Sequence, residues 1–247
     1  MRISWLAGSL FTLAPLAWSG TFAPAAACDA PPVSRSWDAS GESAPPGSAE
    51  MATRGRSQDS SLTALYDRAL PFPEFLDRAA QRLPEWYGSV SAVQVADSTV
   101  ARARAVGGRW RVLVVAVDTC GDSLRQVPVV ARLAELVHGL GVRVITPAEG
   151  GAAVQTRFRS LDGRRATPTY VLLDETGAAA GCIVELPAPL RHLLHERRAE
   201  GTRGTNAALA DTAIAWYRQD AGASIAAEVV ALMEAAAAGR PVCETGS

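Results

Sequence analysis

The segment Arg111-Val-Leu-Val-Val-Ala-Val117 carries no charge after its first residue and runs straight into Asp118-Thr-Cys-Gly-Asp-Ser-Leu-Arg125. A short, uniformly apolar run reads as a strand covered on both faces, which calls for helices on either side of a sheet. The residues after it read as the start of a helix, so Cys120 sits at a strand-to-helix turn. The first turn of a helix offers unsatisfied N–H groups and the positive end of the macrodipole, and both favour a charged sulfur. Cys120 is therefore the nucleophile candidate. Asp118 and Asp122 bracket it; like charge raises the thiol's pKa while the helix end lowers it. Asp122 fits two roles, a stabilising acid in a first turn or a carrier of the proton that a leaving thiolate needs. Ser123 fits hydrogen bonding to the Cys120 sulfur or local capping.

A second signal lies at Arg165-Ala-Thr-Pro-Thr-Tyr-Val-Leu-Leu-Asp-Glu-Thr-Gly177. A trans proline is an odd start for a buried strand, and a cis bond at Thr167-Pro168 is expected. The pattern around these two points alternates helix and strand. Helical spacing is found over 62–66, 73–82 and 97–106, then along Val127, Val130, Leu133, Leu136, Val137 and Leu140. A strand at 142–146 follows, parallel to the first because a helix crosses over between them. A short helix at 152–159 precedes the proline, and strands at 170–173 and 178–184 form a hairpin about Asp174–Gly177. Alanine-rich helical stretches at 189–200, 206–219 and 224–238 are expected to pack on the domain. Trp86, Trp110 and Trp216 read as core or edge packing.

Taken together, Cys120-Gly-Asp-Ser123, Pro128 within the following helix and Thr167-Pro168-Thr169 resemble the thioredoxin superfamily. The flanks Leu65-Tyr-Asp-Arg-Ala-Leu-Pro-Phe72 and Trp216-Tyr-Arg-Gln-Asp220 extend the likeness, over roughly residues 61–237, to a bacterial thioredoxin-like family with a single-cysteine Trp-Cys-Gly-Asp-Ser type site. The resemblance implies an α/β thioredoxin-like fold with a central mixed sheet flanked by helices and helical extensions at both ends. It also implies catalytic roles for Cys120, Ser123 and Asp122, with Thr119, Thr167 and Pro168 at the substrate. Two departures matter. Thr119 stands where a tryptophan usually precedes the nucleophile, and Ser123 stands where dithiol relatives have the resolving cysteine. A lone thiol stops at a mixed disulfide until another thiol resolves it. The implied function is monothiol exchange with protein or small-molecule thiols and disulfides; the alternative is a redox-inactive binding module using the cis-proline groove. A shorter likeness, to the Cys-Gly-Phe-Ser turn of cluster-binding monothiol glutaredoxins, rests on four residues, and the longer flanks match the other family. No cofactor is expected.

The 247-residue chain has a net charge of −1, which gives no footprint for nucleic acid. Residues 3–27 lack charge and end in Pro24-Ala-Ala-Ala-Cys28, a secretory signal pattern. Cleavage after Ala27 leaves either an ordinary terminus or, with Cys28 lipid-modified, a membrane anchor; Ala25 departs from the usual lipoprotein pattern. A start at Met51 would instead give a cytoplasmic protein. Residues 28–60 read as a disordered Ser/Pro/Gly/Ala-rich linker, 61–238 as one domain and 239–247 as a flexible tail. The four cysteines, Cys28, Cys120, Cys182 and Cys243, show no metal spacing and no inferable disulfide framework. Cys182 is expected as a small buried residue on an edge strand, and Cys243 as a tail residue without a role, the alternative being a mobile thiol that resolves Cys120. His192 and His195 share a helix face without a third ligand, and His138 lies near a helix C-terminus.

Overall fold

The computed structural model describes residues 59–199 and 206–243. The expected signal segment, Cys28, most of the linker, Met51 and the last four residues lie outside them. In chain order the elements are α1 (Ser60–Arg68), β1 (Leu70–Pro71), α2 (Phe72–Arg78), α3 (Leu83–Ala92), α4 (Asp97–Val106), β2 (Trp110–Val115), α5 (Gly121–Leu136), β3 (Leu140–Ile145), α6 (Gly151–Arg157), β4 (Thr169–Leu173), β5 (Ala179–Val184), α7 (Ala188–Ala199), α8 (Asn206–Asp220), α9 (Ala223–Ala237) and β6 (Val242–Cys243).

The strands form one mixed sheet in the order β1-β3-β2-β4-β5-β6. β2 pairs parallel with β3, Trp110 opposite Leu140, and antiparallel with β4, Val115 opposite Thr169. Its place at the centre explains why it is apolar without alternation. Val112 and Val114 point into a large core with Trp86, Leu124, Val130, Tyr170 and Val229, while Leu113 and Val115 point into a second core with Leu62, Phe158 and Val171. One face is covered by α2, α3, α4, α5 and α9, the other by α1 and α6. α9 is thus part of the main core. A third, small cluster of Leu190, Leu194 and Tyr217 joins α7 to α8.

Most of these elements lie where the sequence pattern predicts them, α4 to the residue. The apolar spacing predicts one helix over 73–82, whereas α2 ends at Arg78 and α3 begins after Arg82, whose backbone is left-handed at φ 56°. Pro84 occupies the first turn of α3, a position where a missing N–H costs nothing. Gly88, Ser89 and Ser91 weaken the local helix signal of α3, and its formation depends on burying Trp86. In the hairpin, Gly177 takes φ +86°, and a Cβ there would meet the Thr63 hydroxyl on α1. Only glycine lets the β4–β5 turn lie against that helix.

The C-terminus departs most from expectation. Val242–Cys243 pairs parallel with Gly181–Cys182, so β5 is flanked on both sides. Cys182 is bonded to Cys243. Cys182 is buried as expected, but as half of a disulfide, and Cys243 is not a mobile thiol available to Cys120. A pair separated by 61 residues says nothing of itself in sequence; the sheet brings the two together. Closing so long a loop removes much freedom from the unfolded chain. Cys243→Ser is expected to lower unfolding stability by about 2–4 kcal/mol in denaturant titration, leaving the helix and strand content unchanged.

Candidate active site

The thiol position is built by the end of β2 and the start of α5. Cys120 is the N-cap of α5, with extended backbone, and its sulfur accepts the N–H of Ser123 at 3.4 Å. A cap oxygen usually fills this role, so the sulfur here satisfies one of the four orphan N–H groups of the first turn. On its other side Sγ lies 3.2 Å from the Thr167 carbonyl oxygen. The Thr167-Pro168 bond is cis, as expected, and brings this carbonyl over the helix start. Cys120 is disulfide-bonded, so its sulfur is oxidised. It is only 1% exposed.

The two aspartates do different things from what their flanking positions suggest. The Asp118 carboxylate accepts the backbone N–H groups of Ala80 and Gln81 at 2.8 and 2.9 Å, while its carbonyl accepts the Trp86 indole N–H at 2.9 Å. Arg82 donates to the Thr119 carbonyl at 3.3 Å. The α2–α3 connection therefore grips the turn one and two residues before the sulfur. Trp86 is fully buried, edge-on to Phe75 at 5.6 Å. Sequence reasoning missed this clamp because it treated Trp86 as packing and Asp118 as a bare charge.

Asp122 is pushed up to about 6, chiefly by burial and further by the nearby Glu185 charge, against a lowering hydrogen bond from Tyr217 and attraction to Arg125. The folded value lies above the ordinary 3.8, so the native protein holds this proton more tightly than the unfolded chain does. Asp122 accordingly weakens the fold as pH rises from about 4 to about 6. A carboxyl tuned into the neutral range beside a cysteine is a feature of functional sites. Glu185 is also raised by burial, offset by Arg164 at 3.3 Å.

Ser123 is fully buried, and its hydroxyl has no hydrogen-bond partner; its backbone N–H, not its side chain, serves the sulfur. Thr119 is exposed on the outer side of the turn. Thr167 and Pro168 are buried, and the Thr167 hydroxyl has no hydrogen-bond partner. The carbonyls of this loop face inward: Ala166 accepts from Gln155 and Thr169, Thr167 faces the sulfur, and Pro168 accepts the Glu185 N–H at 2.8 Å. The loop thus has little carbonyl edge left for a bound peptide. His138, His192 and His195 are exposed and distant in sequence from the turn. Among the described residues no group of three or more His, Cys, Asp or Glu is arranged to hold a metal, and no helix is long and apolar enough to cross a membrane.

A strand-turn-helix with a cysteine cap, faced by a cis-proline loop leading into a hairpin, defines a thioredoxin-like site. The thioredoxin family model matches residues 69–200, just over half the chain and including both halves of this site, and the chain belongs to that family. Among solved structures, a Pseudomonas aeruginosa protein of unknown function is 18% identical with a TM-score of 0.57, covering 73% of this chain and 99% of its own. An HIV epitope scaffold is likewise 18% identical, with a TM-score of 0.52 over 72% of this chain and 98% of its own. At this identity the likeness concerns fold. No curated protein matches the chain.

Asp118 tests the clamp. Replacing it with Ala leaves two backbone N–H groups without their carboxylate, and a loss of about 1–2 kcal/mol in denaturant unfolding is expected. Increased hydrogen exchange at Ala80 and Gln81 should accompany it.

Proposed function

We propose that this protein carries out thiol–disulfide exchange through Cys120, with an external thiol completing each turnover. The observation that carries the reading is the Cys120 sulfur on the first turn of α5, 3.4 Å from the Ser123 N–H and across from the cis-Pro168 loop. A sulfur in that position is stabilised as thiolate, the form that attacks. Its likeness to single-cysteine thioredoxin-like proteins supports the same reading.

In the forward step the reduced Cys120 thiolate attacks one sulfur of a substrate disulfide. The substrate S–S bond breaks, a Cys120–sulfur bond forms, and the other substrate sulfur leaves as a thiolate that takes up a proton. Ser123 has no sulfur with which to open this mixed disulfide. A thiolate from a second molecule attacks the substrate sulfur held on Cys120 and releases the Cys120 thiolate, leaving that sulfur in a mixed disulfide with the attacking thiol; a further external thiol opens that bond, and two electrons have then passed from two external thiols to the substrate. The same attack by an outside thiol opens the oxidised Cys120 described above. Thr119, exposed and adjacent to Cys120 in the chain, is the residue an incoming partner meets first, with the buried Thr167 and Pro168 on the loop whose Thr167 carbonyl lies 3.2 Å from the sulfur. The partners are proteins or small molecules bearing thiols and disulfides. The Cys182–Cys243 bond supports an oxidising, extracytoplasmic compartment, by plain export or by a lipid on Cys28, over a cytoplasmic start at Met51.

One observation favours a second reading, a redox-inactive binding module: Cys120 is 1% exposed. Trapping separates the two. With the wild-type protein and the Cys120→Ser variant as baits, exchange predicts adducts that form only with wild type and dissolve on reduction. Partners retained equally by both baits would sink the exchange reading.

A further inference from the structure

Two arginines hold the backbone on either side of the sulfur. Arg82, at the entry to α3, donates to the Thr119 carbonyl at 3.3 Å, and Arg125, on α5, donates to the Gly121 carbonyl at 2.7 Å. These carbonyls belong to the residues immediately before and after Cys120. Each guanidinium has more N–H donors than its carbonyl uses. The Arg125 group also lies 5.5 Å from the centre of the Tyr217 ring of α8, which fixes its plane.

Carboxylates claim little of what remains. Glu85 lies 3.7 Å from Arg82, too far for a hydrogen bond. Among the described residues Arg125 makes no ion pair, and neither does the exposed Arg218 of α8. Asp118 is spent on the Ala80 and Gln81 N–H groups, and Glu185 is turned to Arg164 at 3.3 Å. Burial pulls the Arg125 guanidinium below its usual range; Asp122 and Tyr217 offset part of this, while Arg82 and Arg218 add to it. The sulfur between the two arginines is almost wholly buried, and the carbonyls of the cis-proline loop are turned inward, so an extended peptide finds little edge to pair with.

We propose that Arg82 and Arg125 make Cys120 selective for small disulfides that carry carboxylates, by binding the carboxylate of the molecule whose sulfur is exchanged; this specificity rests on the exchange reading above. Arginine suits the task because its planar fork meets a carboxylate with paired N–H bonds and keeps its charge wherever a thiolate reacts. For a disulfide R–S–S–R with a carboxylate on each R, the Cys120 thiolate bonds one sulfur, the S–S bond breaks, and R–S⁻ departs and takes up a proton. The R–S group held on Cys120 keeps its carboxylate against the guanidiniums. An external thiol then attacks the R sulfur, carries it away as a new mixed disulfide and frees the Cys120 thiolate.

The test compares small disulfides that differ in charge, using the full chain after mild reduction and following the adduct on the Cys120 peptide by mass spectrometry. Dithiodipropionate carries carboxylates, hydroxyethyl disulfide is neutral and cystamine carries ammonium groups. Each rate is divided by that of the same chain in urea, which removes the probe's own reactivity. At low salt the wild-type ratio of dithiodipropionate to cystamine is expected to be at least about tenfold, and to shrink as salt is raised. Arg82→Gln and Arg125→Gln should each lower it by about tenfold, the loss of one hydrogen bond to a charged group, and Arg82→Lys should keep part of it. If one variant does not fold, the other decides. Arginines that only brace the turn would, on removal, slow every probe alike and leave the ratio unchanged, which overturns the proposal. So does a cyclic acidic peptide disulfide that outpaces dithiodipropionate, since the carboxylates would then belong to a protein partner. Wild-type protein that reacts as readily with hydroxyethyl disulfide as with dithiodipropionate leaves exchange standing and sinks the specificity. Reaction with none of the probes overturns the exchange reading and the specificity with it.

Discussion

Helix α5 begins without an oxygen at its cap, and much of the site follows from the sulfur that replaces it. The Ser123 N–H needs an acceptor, and Cys120 Sγ supplies one at 3.4 Å. That places the sulfur in the field of the helix start, on the axis where a negative charge is best tolerated. The position holds only if the two residues before it are fixed, and these are held from outside the β2–α5 unit. Asp118 is tied to Ala80 and Gln81, its carbonyl to Trp86, and Thr119 to Arg82. The α2–α3 connection thus positions the turn from one side, and Tyr217 on α8 packs on the helix that follows it, accepting from Gln126 at 2.7 Å.

Burial and charge are set against each other here. Asp122 is raised to about 6 by loss of water, and the Tyr217 and Arg125 contacts recover only part of that loss. A fold selected for stability alone would gain by an uncharged residue at this position. The unspent hydroxyls of Ser123, Thr167 and Tyr170 show that the interior around the turn is more polar than its packing needs.

The fold was legible because β2 is apolar on both faces and α5 repeats at three and four; these patterns are local and strong. Pro168 was legible from its place before a strand. The disulfide, β6 and α3 were not. Cys182 and Cys243 meet only because Gly181 and Val242 pair across the sheet, and Trp86 makes α3 a helix by being buried, not by local preference. The site residues Cys120 and Asp122 stood out by position. The partners of Asp118 and Asp122 did not, since Ala80, Gln81 and Tyr217 are distant in sequence and bear no motif.

The account depends on the folded turn making Cys120 a better nucleophile than an ordinary cysteine. The direct measurement is the rate of reduced Cys120 with a small aromatic disulfide at pH 7. It is made in a folded protein whose other three cysteines are replaced by Ala, and again with the same protein in denaturant. The account predicts a folded rate at least about tenfold higher, as expected for a thiolate favoured by a helix start. An equal or slower rate in the folded protein would contradict it.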